Sequence, residues 1–186
     1  RVMVLVISVA QVLAGVTVSA QPSQRSGPPP PPKVTVRRTV PRVSTPTSTP
    51  VFSAQPTVQE IRQARVFVEP LLPVGPEPSP EENAALARVI TAYRARNEVD
   101  AIGMFRLFLE QYRTTSWRAS LEANLAQVLW AQGEFTSALA HWDDSWQIAK
   151  DVDTPEGRAV AGIAMAGALE VLATLGMGAQ LEARLK

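Results

Sequence analysis

At 186 residues and a formal net charge of +1, the chain has room for one or two domains, but its sixteen prolines are placed so unevenly that length alone misleads. It has no cysteine and a single histidine, which excludes disulfides, thiolate nucleophiles, thiolate metal sites and a lipid-modified Cys, and leaves too few ligands for zinc at any familiar spacing. Residues 1–80 carry eight Lys/Arg against three Asp/Glu and residues 81–186 ten against fourteen, so the basic excess lies in the Pro-rich part, which argues against a nucleic-acid partner.

Arg1, an apolar run over residues 2–18 and then Val18-Ser19-Ala20 have the basic start, apolar middle and small minus-three and minus-one residues of a secretory signal peptide. Cleavage is expected after Ala20, giving an exported protein of the periplasm, cell envelope or extracellular space. The alternative is an uncleaved anchor, since ~17 residues is the lower end of a spanning helix. Only then is a membrane a partner. The chain starts at Arg1 with no Met and reaches Lys186 inside a helical pattern, so a piece of a longer protein is expected.

Residues 21–56 hold the Pro28 to Pro32 run, Arg37-Arg38 and the Ser44 to Pro50 run STPTSTP. With almost no large apolar side chains, this stretch cannot bury enough surface to offset the entropy of ordering, so a disordered linker with polyproline II character is expected. A sharper reading makes Pro28 to Pro32 a ligand for an SH3-like domain. Residues 57–79 form an extended transition segment: Thr57 to Arg65 offers two helical turns, and Arg65-Val66-Phe67-Val68-Glu69 alternates as a strand would. Pro70, Pro73, Pro76, Pro78 and Pro80 stop anything longer. This segment is expected to lie against the first helix pair, burying Phe67 or Leu71.

Fifteen of the sixteen prolines fall at or before Pro80, which places the folded, helical domain at residues 80–186. Ser79 as cap, Pro80 at the first helical position and Glu82 three residues on make a capping box, and Leu86, Val89, Ile90 and Tyr93 continue as one apolar stripe. A break near Arg96-Asn97 leads to a second helix with Ile102, Phe105, Leu109 and Tyr112 on one face. Thr114-Thr115-Ser116 supplies a turn and a cap for a third, carrying Leu121, Leu125, Val128 and Leu129 and ending at Gly133. Phe135 to Lys150 form a fourth. Thr154-Pro155-Glu156 opens a fifth that reaches Leu175-Gly176, and Ala179 begins a sixth. Helices of about 14 to 18 residues joined by short turns imply stacked hairpins.

One hairpin carries a motif: Asn124-Leu125-Ala126, Leu129-Trp130, Gln132-Gly133-Glu134-Phe135, Ala138-Leu139 and Trp142. Residues 119–150 thereby resemble a tetratricopeptide repeat. The preceding hairpin matches less fully, with Ala101-Ile102, Phe105, Phe108-Leu109 and Tyr112 but Arg96-Asn97-Glu98 where the family has Gly; the following one matches only at Leu169, Leu172 and Gly176. The string from Ala101 through Ser116-Trp117 to Phe135 is similar to repeats of bacterial periplasmic tetratricopeptide proteins. Signal segment, Pro-rich tail and helical block together are similar to the front end of some large secreted bacterial YD-type (RHS) repeat proteins. The resemblance implies an all-α, right-handed superhelical array of about three hairpins. Ala126 and Ala138 would then allow close helix approach, and Phe135 and Trp142 would fill the gap to the next hairpin.

Catalytic chemistry has little to stand on. His141 has Ser137 one turn before it and Asp143 and Asp144 after it, but no Gly-rich elbow or oxyanion site accompanies them, so a surface histidine beside Trp142 is the expectation. Gly157, Gly162 and Gly167 stand five apart within a helix, without a preceding strand, and read as close-contact positions and not as a phosphate loop. Gly176-Met177-Gly178 reads as a helix end. Of the four Trp, Trp117 and Trp142 read as core, while Trp130 or Trp146 exposed for sugar stacking is the alternative.

The expectation is an exported, non-enzymatic scaffold with no cofactor and no metal, binding a protein or peptide in its helical groove. The alternative is an N-terminal targeting or assembly module of a larger secreted enzyme or toxin-type protein. By the resemblance, the groove presents Asn124, Gln127 and Trp130, bordered by Tyr93, Arg94 and Met165. The two amides would offer donors and acceptors to an extended backbone and Trp130 a flat apolar contact. With no Lys/Arg cluster there, an internal segment or the chain's own continuation suits the groove better than a C-terminal carboxylate.

Overall fold

The computed structural model describes residues 50–96 and 102–186. The expected signal segment, most of the expected linker and residues 97–101, where a break between helices is expected, lie outside the described residues. Those described form seven α-helices and no strand: α1 (Val58–Gln63), α2 (Pro80–Arg96), α3 (Gly103–Gln111), α4 (Arg118–Ala131), α5 (Phe135–Ala149), α6 (Pro155–Thr174) and α7 (Gly178–Arg184). The all-α expectation holds. The strand-like alternation at residues 65–69 does not, because this stretch lies on a helix and meets no partner strand.

Local chemistry sets the helix ends. Ser79 Oγ accepts from the Glu82 N–H at 3.2 Å and Glu82 Oε2 accepts from the Ser79 N–H at 2.7 Å, which is the capping box expected for α2. Thr57 and Glu60 make the same arrangement at α1. Thr154 caps α6, with Pro155 in its first turn. Gly133 and Gly176 adopt φ of +83° and +68°, letting α4 and α6 end in left-handed turns that return N–H groups to Leu129 and Leu172.

Two helix ends depart from the sequence reading. The Ser116 hydroxyl does not cap α4; it donates to the Pro76 carbonyl, while the Ser116 carbonyl accepts from the Val74 N–H at 2.7 Å. α3 ends at Tyr112, whose φ of −110° and ψ of 70° leave the helix, and it is only nine residues long.

The core is assembled around α4, nine of whose fourteen residues are buried. A helix covered on so many sides has neighbours on most of its faces. α5 packs along it, joined through Gly133, and α6 packs along α5. The Ser145 hydroxyl, buried, donates to the Ala119 carbonyl at 2.7 Å and ties α5 to α4. Trp142 is fully buried with its ring against Gly167 of α6, where any Cβ would collide with the indole. Gly157 is close to Val152 in the same way, whereas Gly162 faces open space, so the close-contact reading fails for it. α6 is long and apolar enough to cross a membrane, a test that a core helix also passes; here Val160, Ala164, Ala168, Val171 and Leu172 are buried.

Upstream of α2 the chain is also part of this core, so the folded unit starts before Pro80. Pro56 is buried and Phe52 packs on the main cluster, which moves the end of the expected linker back from residue 56. Ile61 of α1 is buried, and Arg65, at φ +42°, turns the chain out of α1. Residues 66–76 then run as a strap without helix or strand, bent at residues 67–69 and again at 75–76, where Gly75 has φ +107°. Leu71, Leu72 and Val74 are buried, and Phe67 stacks on Tyr93 and Phe105 at centroid distances of 5.7 and 4.9 Å.

Candidate functional site

The strap crosses α4 along a row of polar residues about one turn apart. Val74 reaches the Ser116 carbonyl, the Leu72 N–H donates to Ser120 Oγ at 3.0 Å, and the Glu69 N–H donates to Asn124 Oδ1 at 3.2 Å. Asn124 is 2% exposed, and its Nδ2 donates to the Ser120 carbonyl at 2.9 Å. Its amide thus holds a backbone of the chain itself, so the donor and acceptor that the sequence suggested for a partner peptide are both used internally. At the other end of the strap, the Arg94 guanidinium donates to the Arg65 carbonyl at 3.0 Å, which holds the left-handed turn in place.

Past Asn124 the row continues into unfilled space. A cleft of about 510 Å³ is lined by Val66, Phe67, Val68, Tyr93, Gln127 and Val128, among others. Apolar side chains dominate it, with the Gln127 amide among its polar groups, the mixture typical of sites that take a largely apolar ligand with a few oriented hydrogen bonds. The structure therefore brings Tyr93, Asn124 and Gln127 to one surface with Arg94 beside it. It does not bring Trp130 or Met165 into the lining. Trp130 is half-buried and meets Trp142 edge-on at 6.0 Å, and Trp146 is half-buried with the Lys150 ammonium 5.0 Å from its ring centroid.

His141 is the other chemically notable residue. It is half-buried, with Nδ1 2.6 Å from Oε2 of Glu122, which corrects the surface reading. Glu122, itself buried in the middle of α4, also takes Arg118 Nη1 at 3.1 Å. A buried carboxylate needs such partners to offset its lost hydration, and the group ties α4 to α5. Asp143 pairs with Arg184 of α7 at 2.5 Å. Among the described residues, no three His, Cys, Asp or Glu side chains converge as metal ligands would. Sequence reasoning missed Ser120 altogether, and it missed the strap-holding roles of Ser116 and Glu69, whose backbone carbonyl and N–H carry no sequence signal.

Comparison of the chain with protein-family models, with curated proteins and with solved structures finds no significant match.

Proposed function

We propose that this chain is an exported protein-interaction scaffold of tetratricopeptide-like hairpins that binds an extended peptide segment of a partner protein in the cleft beside α4. One observation carries the reading: the face of α4 already holds an extended backbone through side-chain acceptors, and the same face continues into an apolar cleft beside Gln127 and Tyr93. The motif over residues 119–150 supports the hairpin part of the reading, as does the packing of α4, α5 and α6 in chain order. Export rests on the composition of residues 1–20 alone. The protein acts by binding, with no reaction of its own.

Selection of random peptides displayed on phage against the immobilised full chain tests this. Enriched peptides should lose at least tenfold in affinity for a Tyr93→Ala/Gln127→Ala variant whose circular dichroism is unchanged. Enrichment of none, or peptides indifferent to that variant, overturns it.

A further inference from the structure

The strap and the face it covers fit each other in a way that specifies a ligand. Acceptors on successive turns of a helix stand ~6 Å apart along its axis, and a polyproline-like chain advances ~3.1 Å per residue. Such a chain therefore meets one acceptor for about every two residues. Two of the strap's three contacts follow this spacing on α4 itself: Leu72 uses Ser120, and because Pro70 has no N–H, Glu69 uses Asn124 one turn on, while Val74 reaches the Ser116 carbonyl in the turn that precedes the helix. Pro70 and Pro73 need no acceptor, so a helix face offering one per turn satisfies a Pro-rich chain better than a chain of ordinary composition. Leu71, Leu72 and Val74 supply the buried apolar contact.

The strap is also placed to be displaced. Its upstream end leaves α1 through the left-handed Arg65, a conformation disfavoured for a residue with a Cβ. Val68 is 84% exposed, and the cleft at that end is walled by Val66, Phe67 and Val68 of the strap on one side and by Tyr93, Gln127 and Val128 on the other, so an incoming chain finds on the helix side a foothold that stays when the strap leaves.

We propose that the α4 face is a receptor for Pro-rich, apolar extended segments of a partner protein, and that residues 66–76 occupy it in cis as a displaceable competitor. This rests on the peptide-groove reading above and names its ligand class. A peptide of another chain with prolines two or three residues apart and leucine or valine between them starts in the cleft, replaces the strap along Asn124, Ser120 and Ser116, and releases residues 66–76.

The test uses the full chain and two fluorescein-labelled peptides, one with the sequence of residues 66–76 and one with its three prolines changed to Ala. By fluorescence anisotropy, the proline peptide should bind a Leu72→Ala variant, whose strap is weakened, at least tenfold tighter than the unmutated chain. The alanine peptide should bind that variant at least tenfold more weakly than the proline peptide. Adding Ser120→Ala to the Leu72→Ala chain should weaken proline-peptide binding several-fold. Because Leu72→Ala also removes buried packing, hydrogen exchange on the unmutated chain gives a second readout. The Glu69, Leu72 and Val74 amides should lose protection at saturating proline peptide while α5 keeps its own. Equal binding of both peptides overturns the ligand class, and retained strap protection with peptide bound overturns displacement. A dimer of exchanged straps, seen by mass photometry, overturns it in favour of a second copy as occupant. If neither peptide binds but phage-selected ones do, the inference fails and the groove reading stands; if neither kind binds, both fail.

Discussion

Gly167 and Trp142 form one packing unit, since the indole occupies the space where a side chain at 167 would begin. Gly167→Ala should cost about 1–3 kcal/mol through overpacking. Gly162→Ala, in the same helix but facing open space, should gain about 0.5–1 kcal/mol from helix propensity. Urea midpoints that moved in the same direction for both variants would contradict this contrast. In the sequence the two glycines are indistinguishable, five residues apart in a run of Ala and Gly; only the neighbouring helix separates them. Trp142 and Ala138 were legible because a motif of large and small residues marks a helix crossing, and both are buried. Ala138→Asp should accordingly destabilise by a few kcal/mol, on the order of other unpaired buried charges. Glu122 was not legible: a charged residue within a helix reads as solvated until Arg118 and His141 are brought to it from the same helix and the next.

Among the elements, α1 is short enough for its cap to matter, and that cap is titratable. The Thr57 N–H, then the Ser53 N–H, hold the Glu60 carboxylate in its charged form, lowering its pKa from 4.5 to about 2. A depressed folded pKa means the cap contributes fully above the unfolded value of 4.5 and is lost as pH falls from there toward 2. An NMR titration should place the Glu60 midpoint near 2, with the Thr57 and Ser53 amide shifts following it; a midpoint near 4.5 would show the cap is not formed. The starts of α2 and α6 were readable because Ser79 and Thr154 carry their capping chemistry locally, whereas α1 was expected only as two turns within Thr57 to Arg65, without its Thr57 cap. The ends of α3 and the start of α4 were not, because Ser116 is satisfied by residues some forty positions earlier in the chain. The strap was half legible: its prolines announced an extended segment, and Leu71 is buried as expected, yet its hydrogen-bond partners on α4 come from tertiary structure alone.

At the scale of the molecule, the candidate groove and the hydrophobic core are closed by the same segment, so the smallest stable unit should include it. Ile61 and Leu71 are buried in one cluster with Leu86, Ile90 and Phe105, and Leu72 and Val74 in another with Ala119, Ala149 and Val160, helix residues that would otherwise face water. Each large side chain buried is worth ~1.5–3 kcal/mol, and the prolines of the strap lower the entropy lost in ordering it. Removing residues 50–79 therefore forfeits on the order of 5 kcal/mol, comparable to the whole stability of many small domains. A fragment of residues 80–186 should remain largely helical by circular dichroism, because the Thr154 cap of α6 and the α4 to α5 hairpin lie within it, although α2 loses its Ser79 cap. Its urea transition should nonetheless fall well below that of residues 50–186 and lose cooperativity, as expected where packing is lost while helices persist. Equal midpoints for the two fragments would mean that the strap merely rests on a core complete without it.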